Sequence, residues 1–460
     1  MLLKNIDRTR IVIINLPTEH LKSDTEIMAR GPLSIHSFLR KKGIDSILVD
    51  LAGTREENWP MIPDADLYGI STVTCQVFYA ERLASFLKSR HPRAVVLMGG
   101  AHAVALPGDC LKNRHADVVC IGEGELAVFE LMDSGRQLSD IKGFAYLDDS
   151  GNVVGTGKRP LAKDIEQFYP LRFQDYGIYR YLHPKTYKFF NRDADDLQLN
   201  VMISRGCYGS CKFCMSGQTG AKSIRHRNIT TAVDELIQYK KRWGINRVYF
   251  DDDEMLSKKG MFEALCDEMP RSDLDWLCLG RSDRVTPEKL ARLVDAGCTG
   301  IVYGIEHFSD RVLCGLNKGN TGKQNYKALI QSAKYNLKVR AQMMTGCVPY
   351  ETWDDVKLTA AYVKRVIAET EGRVRFSFHI YQPLPGTASY EEALGCPEHF
   401  DPRRLTDFSE FQTVGNFQRH AAGGIDKRPR IAHRKAAEVF DWYDYLVETA
   451  GEAEIAANHD

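Results

Sequence analysis

Short apolar runs, each closed by small or polar residues and followed by an amphipathic stretch, recur along most of this chain. The pattern occurs twice. In the first series the runs lie at 11–16, 46–49, 67–72, 94–98 and 117–121, with helical spacing between them clearest at 32–42 and 77–88. The second series has runs at 197–203, 247–250, 275–279, 300–303, 339–344 and 373–381. Helical stretches at 231–243, 261–269, 287–296, 325–335 and 352–370 separate them. Apolar runs that do not alternate in and out are strands covered on both faces, which means a parallel sheet between helices. The first series therefore predicts an α/β domain built on a doubly wound parallel sheet of the Rossmann type. The second predicts a partial (β/α)6 TIM-type barrel, short of the eight units that closure needs.

Between the two series, 143–158 reads as a β-hairpin turning at Asp148-Asp149-Ser150-Gly151. Residues 159–196 have no clean period and read as a linker. Its aromatics (Phe168, Tyr169, Tyr176, Tyr179, Tyr181, Tyr187, Phe189 and Phe190) are expected to pack. A helix at 433–449 belongs to a small, mostly helical C-terminal region, and 451–460 should fray. The expected division is 1–142 for the first sheet, 143–196 for hairpin and linker, 197–390 for the barrel and 391–460 for the remainder.

Ligands of such sheets bind at the carboxyl ends of the strands. In the first series those ends carry Ser71-Thr72-Val73-Thr74, Gly99-Gly100-Ala101-His102 and Gly122-Glu123-Gly124-Glu125. Glycines there let a flat or phosphate-bearing ligand approach the backbone. No Gly-x-Gly-x-x-Gly follows the first run, which argues against a nicotinamide or flavin dinucleotide. In the second series the first strand runs into Cys207-Tyr208-Gly209-Ser210-Cys211-Lys212-Phe213-Cys214. Three thiols leave one iron of a four-iron cluster free for another ligand, whereas structural zinc would need a fourth Cys or His, and this loop has neither. An electron carrier, which saturates its irons with protein ligands, fits less well.

Lys plus Arg and Asp plus Glu are equal at 61 each, so there is no global field to draw in nucleic acid. The start of the chain shows no secretory signal, and no apolar run is long enough to span a membrane. Twelve cysteines in that setting predict a reducing, cytoplasmic compartment and metal ligation in place of disulfides.

Cys-x-x-x-Cys-x-x-Cys at the end of a first barrel strand resembles the radical S-adenosylmethionine (SAM) enzymes. The resemblance implies a [4Fe-4S] cluster on Cys207, Cys211 and Cys214 whose open iron chelates SAM, and a 5′-deoxyadenosyl radical formed by reductive cleavage. An external one-electron reductant such as flavodoxin or ferredoxin follows from it. By the same resemblance Phe213 helps place adenine, and Asp252, Asp253 or Glu254 receives the SAM amino group. Those acids replace the family's usual Gly-Gly-Glu. Arg281 and Ser282 match ribose or carboxylate contacts, Gly304 and Glu306 a Gly-Ile-Glu segment near the ribose. Residues 346–352 and Pro385-Gly386-Thr387 match further family segments.

A five-stranded α/β domain ahead of such a barrel is similar to the cobalamin-binding subgroup. That likeness implies corrin contacts from Ser71, Thr72, Thr74, Gly99, Gly100, His102, Gly122 and Glu123. The older cobalamin signature Asp-x-His-x-x-Gly is absent after the first strand, so no histidine from that loop is expected on cobalt. The implied function is a cobalamin-dependent methyltransferase acting on an unactivated carbon or phosphorus of a small molecule. A non-methylating rearrangement, cyclisation or oxidation shares the same radical step and stays open. A methylthiotransferase would need three further N-terminal cysteines, and Cys75, Cys110 and Cys120 are poorly placed for that. The residues name no substrate, general base or hydrogen donor.

Overall fold

The computed structural model of the chain describes residues 10–18, 25, 28–133, 136–182, 188–190, 196–216, 223–406, 408 and 431–457. Tyr187 lies outside them. The chain forms two compact units: 1–181 with 384–386 and 407–412, and 182–383 with 387–406 and 413–460.

The first unit follows the order β1 (Arg10–Asn15), α1 (Arg30–Lys41), β2 (Asp45–Asp50), β3 (Leu67–Ser71), α2 (Val77–Arg90), β4 (Val95–Gly99), α3 (Ala101–Ala105), α4 (Pro107–Asn113), β5 (Val118–Cys120), α5 (Gly124–Asp133), β6 (Phe144–Leu147) and β7 (Val153–Gly155). The sheet order is β2-β1-β3-β4-β5-β6-β7. The first five strands are parallel, with apolar cores on both faces, as continuous runs such as Ile11-Val12-Ile13-Ile14 require. The sheet has seven strands where the sequence predicts five. The expected hairpin is present, but it joins the sheet: β6 pairs antiparallel with β5 and covers that edge. Its turn is held by the Asp148 carboxylate, which accepts from Ser150 N at 2.9 Å and Asn152 N at 2.8 Å. Strand order reverses between β1 and β3, the crevice where ligands of such sheets sit.

The linker aromatics pack as expected: Phe168, Tyr169, Tyr176 and Tyr181 are buried, and only Tyr179 of the described ones points outward. The segment around them is a run of short 3-10 turns, too brief for a periodic signal.

The second unit contains β8 (Gln198–Val201), the short pair β9 (Ser204–Arg205) and β10 (Arg225–His226), α6 (Ile229–Trp243), β11 (Arg247–Phe250), α7 (Met261–Glu268), β12 (Asp275–Gly280), α8 (Pro287–Asp295), β13 (Cys298–Glu306), α9 (Asp310–Gly315), α10 (Gly322–Lys334), β14 (Lys338–Thr345), α11 (Trp353–Thr370), β15 (Val374–Ile380), α12 (Ala388–Leu394), α13 (Pro402–Thr406) and α14 (Ala436–Ala457). Among the described residues six parallel strands run β15-β14-β13-β12-β11-β8 with no pairing between the outer two, a partial barrel. Caps fall where the sequence signals them: Thr286 Oγ1 accepts from Lys289 N at 3.3 Å at the start of α8, and Gly297 follows that helix with φ +84.

Two boundaries differ from expectation. β13 takes in Gly304-Ile305-Glu306, expected after the strand, and its register with β14 slips there, with Glu306 at φ +63. α14 continues to Ala457, because residues 452–457 are mostly strong helix formers, Ala and Glu.

The amino-terminal end of the partial barrel is filled by Phe190, buried with Tyr249, Leu277 and Val302. A Cβ on Gly300 would stand 2.5 Å from the Phe190 ring and 2.9 Å from Lys338 O, so only glycine fits. Gly300→Ala should destabilise the protein by about 1–3 kcal/mol. In Phe190→Ala, which opens a cavity worth about 3–5 kcal/mol, the same change should cost less, the part set by the Lys338 carbonyl remaining. Denaturant melts of the double-mutant cycle check this, and simple additivity would refute the contact.

Candidate functional site

The cysteine loop is shaped from outside itself. Asp252, fully buried at the end of β11, accepts from Ile203 N at 3.0 Å, Ser204 N at 2.5 Å and Ser204 Oγ at 2.6 Å. That ties the end of β11 to the start of the loop. On the far side Lys212 N donates to Leu316 O at 3.0 Å, Asn317 Nδ2 to Ser210 O at 2.8 Å and Ser389 N to Lys212 O at 3.0 Å. Lys212 Nζ also pairs with Glu392 at 2.7 Å and donates to Tyr350 Oη at 3.1 Å. Connections after β13 and β15 therefore clamp the loop.

Within it, Gly209 N donates to Cys207 Sγ at 3.3 Å. A Cβ at Gly209 would lie 3.4 Å from Cys207 Sγ and 3.7 Å from Cys211 Sγ, so this glycine keeps the space between the two sulfurs open. Burial pushes the Cys207 and Cys211 thiols up; the Gly209 N–H opposes it at Cys207, and the Lys318 and Arg281 cations oppose it at Cys211. Among the described residues no three His, Cys, Asp or Glu side chains converge on a single-ion site. A cube of four irons holds its three cysteines farther apart than one ion does, and the opened loop suits that larger group.

A cleft opens beside the loop, and Cys207, Glu254, Arg281, Asp283 and Lys318 line it. Glu254 Oε1 accepts from Leu256 N at 2.8 Å, while its buried Oε2 has no hydrogen-bond partner among the described residues. A buried carboxylate oxygen with no partner is costly unless a cation reaches it. An ammonium is such a partner. Arg281 is held by Asp283 (Nε–Oδ1 3.0 Å) and by the Lys318 carbonyl (Nη2–O 2.6 Å), and its Nη1 lies 3.7 Å from Cys211 Sγ. Lys318 Nζ pairs with Glu306 Oε1 at 2.7 Å and lies 5.7 Å from the centre of the half-buried Phe213 ring. A Cβ on Gly304 would stand 2.6 Å from Glu306 Oε1 and 2.9 Å from Lys318 Nζ, so a larger residue there would push that pair aside.

Of the residues expected here, Glu254 and Arg281 line the cleft with Cys207, and Phe213, Gly304 and Glu306 stand behind Lys318. Asp253 is exposed and accepts from Ser216 Oγ at 2.9 Å. Asp252 is committed to the backbone of β9. Ser282 is buried below the rim, donating to Asn325 Oδ1 at 2.5 Å and accepting from Asn320 Nδ2 at 2.9 Å. Sequence reasoning missed Asp283, Asn317 and Lys318; the polar run Asn317-Lys318-Gly319-Asn320 was the available signal. It also missed His307, which with Glu351 of the recognised segment 346–352 fixes that segment. Glu351 accepts from His307 Nε2 (3.2 Å), Thr345 Oγ1 (2.8 Å) and Cys347 N (2.7 Å).

In the first unit the expected residues gather at the ends of β3, β4 and β5. Thr72 N donates to Gly99 O at 2.9 Å and His102 N to Thr72 O at 3.3 Å. A Cβ on Gly100, at φ +95, would lie 2.5 Å from Thr72 O. Gln76 Nε2 spans the switch point, donating to Leu16 O (3.1 Å), Pro17 O (3.2 Å) and Thr18 Oγ1 (2.9 Å). Ser71, Gly99 and Glu123 remain partly exposed and Gly100 and Gly122 exposed, beside the exposed Val73 that sequence reasoning passed over. Thr72, Thr74 and His102 are buried. His102 Nδ1 lies 3.3 Å from Thr74 Oγ1 and Nε2 3.2 Å from Asp109 Oδ2, with the Phe408 ring edge-on at 5.0 Å. Burial works against the Asp109 carboxylate, but hydrogen bonds from His102, Asn113 and Arg114 bring it down to about 2. His102 is thus built into the wall of this edge, with both ring nitrogens engaged.

The Radical SAM superfamily profile matches residues 201–363, and that of the B12 binding domain matches 21–132. The chain is 29% identical over 338 residues to an uncharacterized methyltransferase, PH0819, of Pyrococcus horikoshii, covering 72% of this chain and 70% of that one. It is 28% identical over 317 residues to the anaerobic magnesium-protoporphyrin IX monomethyl ester cyclase of Rubrivivax gelatinosus, covering 66% and 55%. The cobalamin-dependent S-adenosylmethionine radical enzyme OxsB, solved with aqua-cobalamin and S-adenosylmethionine, superposes with a TM-score of 0.68 at 16% identity, over 89% of this chain and 64% of that one. The chain thus spans less than two thirds of the length of the cyclase and of OxsB.

Proposed function

This chain belongs to the cobalamin-binding radical SAM enzyme family, and we propose that it methylates an unactivated carbon, or a phosphorus, of a small molecule. Its cofactors are a [4Fe-4S] cluster, SAM and cobalamin. When bound, these groups supply one electron for reductive cleavage of SAM and a carrier for the methyl group.

The rest falls to the chain's own residues. Cys207, Cys211 and Cys214 hold the cluster, and Gly209 leaves room for it. Glu254 Oε2 receives the SAM ammonium. Phe213, Gly304, Glu306 and Lys318 shape the adenosine side of the cleft, and Arg281 with Ser282 beneath it completes the rim. Asp253 and Asp252 act through the loop, the latter by anchoring β9. In the first unit Ser71, Gly99, Gly122 and Glu123 form the accessible edge for the corrin. Thr72, Thr74, Gly100 and His102 give that edge its shape. The domain division 1–142, 143–196, 197–390 and 391–460 belongs to the same reading. So do an external flavodoxin- or ferredoxin-like reductant, a cytoplasmic location and a substrate that is not nucleic acid. No described helix is long and apolar enough to cross a membrane.

The observation that carries the reading is Glu254, which lines the same cleft as the cysteine loop and has a buried oxygen with no hydrogen-bond partner among the described residues. Anaerobic holoenzyme with methyl-labelled SAM, a strong reductant and a pool of small metabolites should move label into a small molecule and form 5′-deoxyadenosine. Abundant 5′-deoxyadenosine with no transferred label would instead favour a rearrangement or cyclisation. The similarity to the Rubrivivax cyclase makes that the second reading.

A further inference from the structure

We infer that Arg281 raises the reduction potential of the cluster through the Cys211 sulfur, and that Asp283 is placed to moderate it. The inference rests on the reading of Cys207, Cys211 and Cys214 as cluster ligands. Arg281 Nη1 stands 3.7 Å from Cys211 Sγ, within reach of an N–H···S hydrogen bond. Its side chain is only 12% exposed. Three anchors fix the orientation: Asp283 Oδ1 on Nε at 3.0 Å, Asp283 Oδ2 on Nη2 at 3.3 Å, and the Lys318 carbonyl on Nη2 at 2.6 Å. With Nε and Nη2 bound there, Nη1 is the arm left to face the sulfur. Gly209 lets it in, since a Cβ there would lie 3.3 Å from Nη1.

The other nearby cation, Lys318, is matched by Glu306 at 2.7 Å. Around Cys211 the guanidinium is therefore the charge with a direct line to a sulfur. Hydrogen bonds to cluster sulfurs, net local charge and solvent exposure set iron–sulfur potentials. Reduction adds one electron and no proton, so a nearby positive charge favours the reduced form, more strongly where water is excluded. A guanidinium also keeps its charge at every working pH. The Asp283 carboxylate, two bonds' reach behind it, offsets part of that field.

The two groups predict shifts of opposite sign, which a structural role would not produce. The test is a mediated redox titration of reconstituted protein without SAM, followed by the EPR signal of the reduced cluster, with iron measured on each sample. Arg281→Gln should lower the reduced-to-oxidised ratio at a fixed poise about tenfold, a shift of ~59 mV for a one-electron couple. Arg281→Lys should fall between, because one ammonium cannot hold Asp283 and reach the sulfur together. Asp283→Asn keeps one acceptor for Arg281, removes the negative charge and should raise the ratio. Unmoved potentials in fully loaded variants, or shifts of the same sign, would overturn the inference. If Arg281→Gln fails to load iron, Asp283→Asn alone still decides it by sign. Unmodified protein that assembles no cluster would sink the reading of the three cysteines instead.

Discussion

Replacing Cys207, Cys211 or Cys214 by alanine should remove the cluster and, with it, SAM cleavage. Anaerobic reconstitution of the unmodified chain is expected to give about four irons and a broad charge-transfer absorbance. Each single alanine variant should retain well under half of that iron and form 5′-deoxyadenosine only at background. Two thiolates cannot hold a cube that already has one iron without a protein ligand. The loss should be specific. Cys207 and Cys214 are only half-buried, and the loop that carries them is tied chiefly by Asp252, Lys212 and Asn317, the sulfurs adding one contact from Gly209 N and one from Arg281. Unfolding midpoints of the apo variants should therefore stay close to that of the apo protein. Full iron content in any one of the three variants would remove that cysteine from the ligand set.

The second large effect belongs to Glu254. In Glu254→Gln the Oε1 contact to Leu256 N survives, but the second atom becomes an N–H donor. A charge-assisted bond to an ammonium would then be replaced by a donor against a donor. The loss of about 1.5–3 kcal/mol for a hydrogen bond to a charged group corresponds to roughly ten- to 150-fold weaker SAM binding. Titrating SAM against the EPR signal of the reduced cluster measures it, with iron content as the control. Binding within twofold of the unmodified protein would mean that another group receives the ammonium.

How much of this was readable from the residues can be followed element by element. The alternation of apolar runs located both parallel sheets, because strands covered on both faces leave no other pattern. The cysteine loop was legible because its ligand types and spacing are local. The direction of a side chain at a strand end is not local. Asp252, Asp253 and Glu254 are consecutive, yet one ties β9, one faces solvent and one lines the cleft with a buried oxygen that has no partner among the described residues. Lys318 was hidden by a short helix, Asp310–Gly315, too brief to show a period. Glu306 depends on a register slip that no single-strand pattern contains. The hairpin was recognised, but whether it would pair with β5 depended on a free edge set by the whole sheet.

Asp252 has one more consequence, and it concerns assembly. Its carboxylate gathers two backbone N–H groups and a hydroxyl, all from the protein, so the approach to Cys207 is set before any metal arrives. In small zinc domains, by contrast, the energy of metal capture is spent on folding the chain. Here the bonds that shape the approach to Cys207 come from the chain itself, so that energy is available for affinity and for keeping the fourth iron exposed. The iron–sulfur delivery machinery would thus meet a finished receptacle, and chelation should empty it without melting the domain around it.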